Sequence, residues 1–361
     1  MNREIYVDQV KGLAIISVVL GHIVYAYPSL SFLPLRDMLT YFWHVPVFFV
    51  VAGFFLKDDE LRQPKVFIIK KCKSLYKLIL YFYVPAVLLH NLFFKIGVYS
   101  PNLDYVGKHI HEWSWGENIK ELLLSICLAG REPIVGPMWF VCVLMLALCG
   151  LSIVSYVVGK IPCRKLSYEN KRFVVLLSLA IISHLLTNKI GFNIPRFNNT
   201  IVAMFLIYLG WMLKQKYKLS FDNNVVAIVC ALICYNLVLT LGGVDMNSNR
   251  FHDVLTLSCS AVGITYLLCF MFKKAECLGF ASWLAYVGKD SFYIMALQFA
   301  GFKIGMVIMN LAADRDYDIA ELLPHAENVY ELLFFLFVGV AFPLFFMFVF
   351  RVLKKILFCR A

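Results

Sequence analysis

The stretch VKGLAIISVVLGHIVYAY (Val10–Tyr27) decides the fold. It is almost wholly apolar, and at about 1.5 Å per residue it nearly matches a hydrocarbon core of roughly 30 Å. Yet it carries Lys11 and His22. An α-helix turns about 100° per residue, so eleven steps make about three turns. Both side chains therefore fall within roughly 20° of one helix face, about 16 Å apart along the axis. One face holds a cation near one membrane surface and an imidazole deep in the bilayer.

The rest of the chain agrees with a membrane setting. Of 361 residues, 61% are hydrophobic and only 16% charged, more apolar surface than a soluble domain can hide. Apolar runs of near-spanning length recur at 8–28, 38–56, 75–96, 137–159, 173–188, 197–213, 224–242, 253–272, 290–312 and 331–352. The expected fold class is an all-α polytopic membrane protein of about ten transmembrane helices. With no repeat or low-complexity linker, residues 1–361 read as a single integral membrane domain.

Positive charge orients it. The connection 57–77 holds Lys57, Arg62, Lys65, Lys70, Lys71, Lys73 and Lys77, whereas the longer 97–136 offers only Lys108, Lys120 and Arg131. The basic–poor alternation continues to the acidic 313–330 and a basic tail with Arg351, Lys354 and Lys355. Both termini are thus expected in the cytoplasm, with helix 1 an uncleaved anchor. The net charge of +11 is then largely a topology signal and an attraction to anionic lipid headgroups, which removes the case for nucleic acid. Most of the eleven cysteines lie in apolar runs without a CxxC pair, which argues against a disulfide framework or a metal cluster.

His22 lies in the outer half of helix 1. His44 lies about 9 Å below the outer surface on helix 2. The two helices are consecutive and antiparallel, so the histidines are candidate neighbours. Ionisable groups at such depth are functional candidates, although interhelical hydrogen bonding is the competing account. Lys70, Lys71 and Lys73 open helix 3 at the level of Lys11. They fit positive-inside charge, and equally a cationic pocket for phosphate groups. Asp8, three residues before Lys11, is spaced to pair with it. His90 and His184 read as structural.

DQVKGLAIISVVLGH (Asp8–His22), FWHVPVFFVVAGFFLK (Phe42–Lys57) and FIIKKCKSLYKLILYFYVP (Phe67–Pro85) resemble, in order, the membrane-bound acyltransferase-3 family. PMWFVCVLM (Pro137–Met145) and YVGKDSFYIMALQF (Tyr286–Phe299) are similar to later segments of that family, and VDMNSNRF (Val244–Phe251) to its sugar O-acetyltransferase members. The resemblance implies transfer of an acyl group, chiefly acetyl from cytoplasmic acetyl-CoA, to a hydroxyl of a glycan or glycolipid at the outer side of the inner (cell) membrane. It implies Lys11, Lys70, Lys71 and Lys73 as holders of the CoA phosphates, with Lys11, Lys70 and Lys73 standing where the family carries arginines. His22 matches the family's helix-1 histidine; the residues support it as general base or as the carrier of a covalent acyl-histidine, with His44 orienting it or stabilising an oxyanion. Gln298 stands where members often carry histidine. No metal is implied. A carrier or flippase for a lipid-linked sugar also calls for buried polar groups over a basic inner face; inverted repeats would mark it, and none is visible.

Overall fold

Several helices begin at side-chain caps that the sequence supplies. Ser114 and Glu117 form a reciprocal capping box, Ser167 accepts from the Asn170 N–H, and Asp253 accepts from the Leu255 and Thr256 N–H groups. The computed structural model describes residues 4–25, 35–102, 104–105, 108–162, 165–194, 196–276, 282–313 and 315–358.

The chain runs through α1 (Ile5–Tyr25), α2 (Leu35–Leu39), α3 (His44–Gly53), α4 (Asp58–Leu61), α5 (Pro64–Lys71) and α6 (Lys77–Lys95). A short hairpin of β1 (Asp104–Tyr105) and β2 (Lys108–His109) comes next. Then come α7 (Trp115–Ile126), α8 (Trp139–Lys160), α9 (Tyr168–Lys189), α10 (Phe197–Trp211), α11 (Asn224–Leu241), α12 (Val254–Ala275), α13 (Ser282–Lys289), α14 (Ser291–Ala312) and α15 (Val329–Phe358). Among the described residues, nine helical stretches are long and apolar enough to cross a membrane. The protein is an all-α, multi-pass membrane protein. "Outer" denotes the side that the charge pattern assigns to the outside.

Two expected spans differ in form. The run 38–56 is not one helix but α2, a turn at 40–43, and α3. Pro46 explains the break. It lacks an N–H, so it is accommodated in the first turn of a helix starting at His44, where no intrahelical partner is required. The third span starts earlier than expected, at Pro64, and continues through a π-helical segment (Cys72–Tyr76) to Lys95. Its 32 residues measure about 48 Å against a core of about 30 Å, so Lys70, Lys71 and Lys73 lie on its inner, juxtamembrane part.

Without a hydrophobic force between helices in lipid, close backbone approach and buried polar contacts hold such a bundle. A Cβ on Gly12 would stand 2.1 Å from the Leu284 carbonyl oxygen, and one on Gly288 1.8 Å from that of Asp8. This crossing of α1 and α13 fixes the rotation of α1. Gly53 and Gly210 set the crossing of α3 and α10 in the same way.

Buried charges pin the ends. At the inner side the fully buried Arg172 pairs with Asp58 at 2.8 Å and packs on the rings of Tyr168, Tyr208 and Trp211. Arg351 grips Asp290 through two hydrogen bonds of 2.9 and 2.6 Å. At the outer side Lys303 donates to the carbonyls of Val98, Ile319 and Glu321. His90 faces two acceptors, the Glu132 carboxylate at 2.8 Å and the His111 carbonyl at 3.0 Å, while Trp113 stacks on its ring. His184 stacks on Phe251 and meets the Asn188 amide. Both histidines are thus held as structural partners.

Candidate functional site

His22 reaches the outer end of α1 because the glycine crossing near its inner end sets which face looks inward. Its Nδ1–H donates to Gln298 Oε1 on α14 at 3.0 Å, and Phe299 meets the ring edge-on at 5.1 Å. The Gln298 amide nitrogen faces the Met295 carbonyl and sulfur, which sets the orientation of its oxygen. With Nδ1 protonated, neutral His22 carries its lone pair on Nε2.

His44 is buried at the start of α3. The Thr40 carbonyl, which also accepts the Trp43 and His44 backbone N–H groups at 3.4 Å each, takes the His44 Nδ1–H. Neutral His44 therefore also carries its lone pair on Nε2. The Tyr41 ring packs edge-on against it, and the Tyr41 hydroxyl donates to the Gly21 carbonyl, tying the turn to α1.

His22 and His44 line one cavity of about 790 Å³. Arg36, Asp37, Trp139 and Asp245 also line it. The segment 243–250 covers it, held by Val244 N–H to Tyr41 O at 2.9 Å and by the Asn199 amide to the Met246 and Asn247 carbonyls at 2.8 Å each. Tyr105 from the outer hairpin lines it too; burial pushes its phenol up to about 12, so it is a neutral donor at ordinary pH. Such a cavity accommodates a sugar-sized ligand against two proton acceptors.

The inner lysines are arranged differently. On α1 the cavity lining consists of Val18 and His22. Lys11 lies about 10 Å below Val18 and pairs with Asp8 at 2.7 Å. The fully buried Ile15 occupies the same face between them. Lys70 is exposed and pairs with Glu60 at 2.8 Å. Lys71 stands 5.1 Å over the Phe67 ring, and Lys73 is exposed in the π-helical segment. Among the described residues neither Lys71 nor Lys73 is ion-paired. α1 packs on α3, α12, α13, α14 and α15, whereas α5 packs on α8 and α6 on α7.

The structure thus brings His22, His44 and Gln298 to one site, and sets the four lysines apart from it. Sequence reasoning missed Arg36, Asp37, Tyr105 and Asp245. Arg36 and Asp37 carried a usable signal, as adjacent charges at the opening of an apolar run. Tyr105 and Asp245 come from outer loops whose folding back no periodicity reveals. Among the described residues no cluster of three or more His, Cys, Asp or Glu could hold a metal.

No curated protein and no solved structure matches the chain. A family model described as an acyltransferase domain matches residues 4–348, nearly the whole chain. That match coincides with a multi-pass helical bundle and a cavity lined by two intramembrane histidines: the chain belongs to the acyltransferase-3 family and is a membrane acyltransferase.

Proposed function

We propose that this acyltransferase moves an acetyl group from cytoplasmic acetyl-CoA to a hydroxyl of a glycan or glycolipid at the outer face of the inner (cell) membrane, with His22 as general base. One observation carries the reading. The Gln298 oxygen holds the His22 Nδ1–H at 3.0 Å, which leaves Nε2 as the proton acceptor of a residue lining a sugar-sized cavity.

In this reaction the acceptor hydroxyl gives its proton to His22 Nε2 as its oxygen bonds to the thioester carbonyl carbon. The tetrahedral oxyanion collapses, the C–S bond breaks, and the leaving CoA sulfur takes the proton back from Nε2. Gln298 keeps the imidazole in the competent tautomer throughout and stabilises the transient imidazolium. His44, with its N–H committed to Thr40, serves as a second acceptor that aims the hydroxyl; as a neutral ring it has no N–H left for an oxyanion. Arg36, which pairs with Asp37 at 3.1 Å, is the charged donor of the cavity suited to that role.

The donor phosphates bind at the inner face. Lys71 and Lys73 meet them directly, while Lys11 and Lys70 exchange Asp8 and Glu60 for phosphate. The pantetheine arm then climbs the Lys11–Ile15–Val18 face of α1 to His22, about 16 Å. The family match favours this reading over a carrier.

His22→Ala tests it. Loss of a general base lowers rate by about 10²–10⁴. Membranes supplied with acetyl-labelled CoA should therefore lose label transfer to glycan while the protein stays at wild-type abundance. Normal labelling by the variant would overturn the assignment.

A further inference from the structure

An outer groove of about 460 Å³ adjoins the cavity around His22 and His44, with which it shares the walls Tyr105, Trp139, Asn247, Ser248 and Arg250. Three arginines converge on this groove: Arg131 before α8, Arg196 before α10 and Arg250 before α12. Among the described residues, no Asp or Glu lines it.

Among the described residues none of the three guanidinium groups is ion-paired, and the Glu121 carboxylate meets only the Arg131 backbone N–H, at 3.4 Å. Arg196 donates to the Leu128 carbonyl at 2.8 Å, to the Gly130 carbonyl and to the Tyr83 hydroxyl, all neutral acceptors. Among the described residues, neither Arg131 nor Arg250 stands within ion-pair distance of a carboxylate. Asp245, joined to Arg250 by a backbone bridge, has one carboxylate oxygen committed to the N–H groups of Asn247 and Ser248.

Topology does not call for these cations. Positive charge on outer connections opposes the orienting rule that the rest of the chain obeys. Three guanidinium groups gathered without a counter-charge beside an acyl-transfer cavity call for an anion. Arginine's planar fork matches an oxyanion in two-point contact. Trp139 and the amide of Asn193 supply the flat and polar surfaces that a sugar ring uses.

We infer that the acceptor is an acidic glycan: its carboxylate or phosphate group docks on Arg131, Arg196 and Arg250, and this holds a hydroxyl of the same or a neighbouring sugar in the His22–His44 cavity. The inference rests on the acyl-transfer reading for the chemical step after binding. The docking itself does not, and it is measured without acyl donor.

The full-length protein in nanodiscs is titrated with matched probes: sialyllactose against lactose for the carboxylate, and glucose 1-phosphate against methyl glucoside for the phosphate. At least one charged probe should bind about tenfold or more tighter than its neutral partner, with the preference fading as salt rises. Arg131→Gln and Arg250→Gln should each erase about tenfold of that preference and leave the KM for acetyl-CoA unchanged. Which pair discriminates identifies carboxylate or phosphate. Equal binding of charged and neutral members in both pairs, or no binding of any probe, overturns the inference. So does a rise in the KM for acetyl-CoA, which would make the groove a donor site. The wild-type ratios and their salt dependence stand even where a variant fails to fold. Normal transfer by His22→Ala would sink the base assignment and leave these titrations unaffected.

Discussion

Replacing Gln298 with leucine removes the acceptor that holds the His22 tautomer, at nearly constant volume. The glutamine is fully buried and its oxygen lies 3.0 Å from Nδ1. With leucine there, an Nδ1–H would be left without a partner, at a cost of about 1–3 kcal/mol. The ring escapes by moving its proton to Nε2, the nitrogen that must accept from the acceptor hydroxyl. The competent tautomer then falls in population by the same free energy, about 5- to 150-fold at roughly 1.4 kcal/mol per decade. The assay is initial-rate transfer from acetyl-labelled CoA by purified protein, with both substrates varied. kcat should fall by that factor with both KM values nearly unchanged, because the interaction governs proton transfer rather than binding. Gln298→Glu keeps an acceptor at the same reach and should retain most of the activity. Because Gln298 acts through His22, the double variant with His22→Ala should be no slower than His22→Ala alone. Full kcat in Gln298→Leu, or a further loss in the double variant, would refute the tautomer argument.

The packing yields two further outcomes. Val18 is where the α1 lining of the histidine cavity ends, so Val18→Trp should obstruct the acyl arm and cut transfer by about tenfold or more, while Val18→Ala stays near wild type; equal rates at equal protein abundance would show that the arm takes another route. Glu132 and His90 form a pair that is almost wholly inaccessible, and Tyr99 donates to the same carboxylate, so Glu132→Ala should cost about 3–5 kcal/mol, read as a lowered Tm and faster proteolysis within 97–136, and an unchanged Tm would refute the clasp.

The features legible in the sequence were those with a local cause. Apolar run length and alternating charge gave the spans and their order, because each depends on the bilayer and on its own neighbourhood. The break in the second span was legible too: Pro46 marks a helix start rather than a helix interior, and HVP could have been read that way. That break matters beyond topology, because the turn at 40–43 starts α3 at His44 and brings its ring within reach of the Thr40 carbonyl. Long-range partners were not legible. Nothing in VKGLAIISVVLGH indicates that the His22 ring will find Gln298, 276 residues away, and the arginine groove draws its three charges from three separate connections.

The separation of the lysines from the histidines has a physical sense that neither set carries alone. A thioester must be polarised and attacked where water is scarce, while CoA phosphates need mobile cations and solvent. About 16 Å of helix divides these two requirements, and Ile15 and Val18 fill that interval with apolar surface. In the proposed reaction this apolar interval is the part of the bundle an acyl arm would displace, which would couple donor binding to cavity access through one helix face. Its rotation is set by Gly12 against α13, so a side chain added at Gly12, 2.1 Å from a carbonyl oxygen, should disturb both ends of the reaction at once.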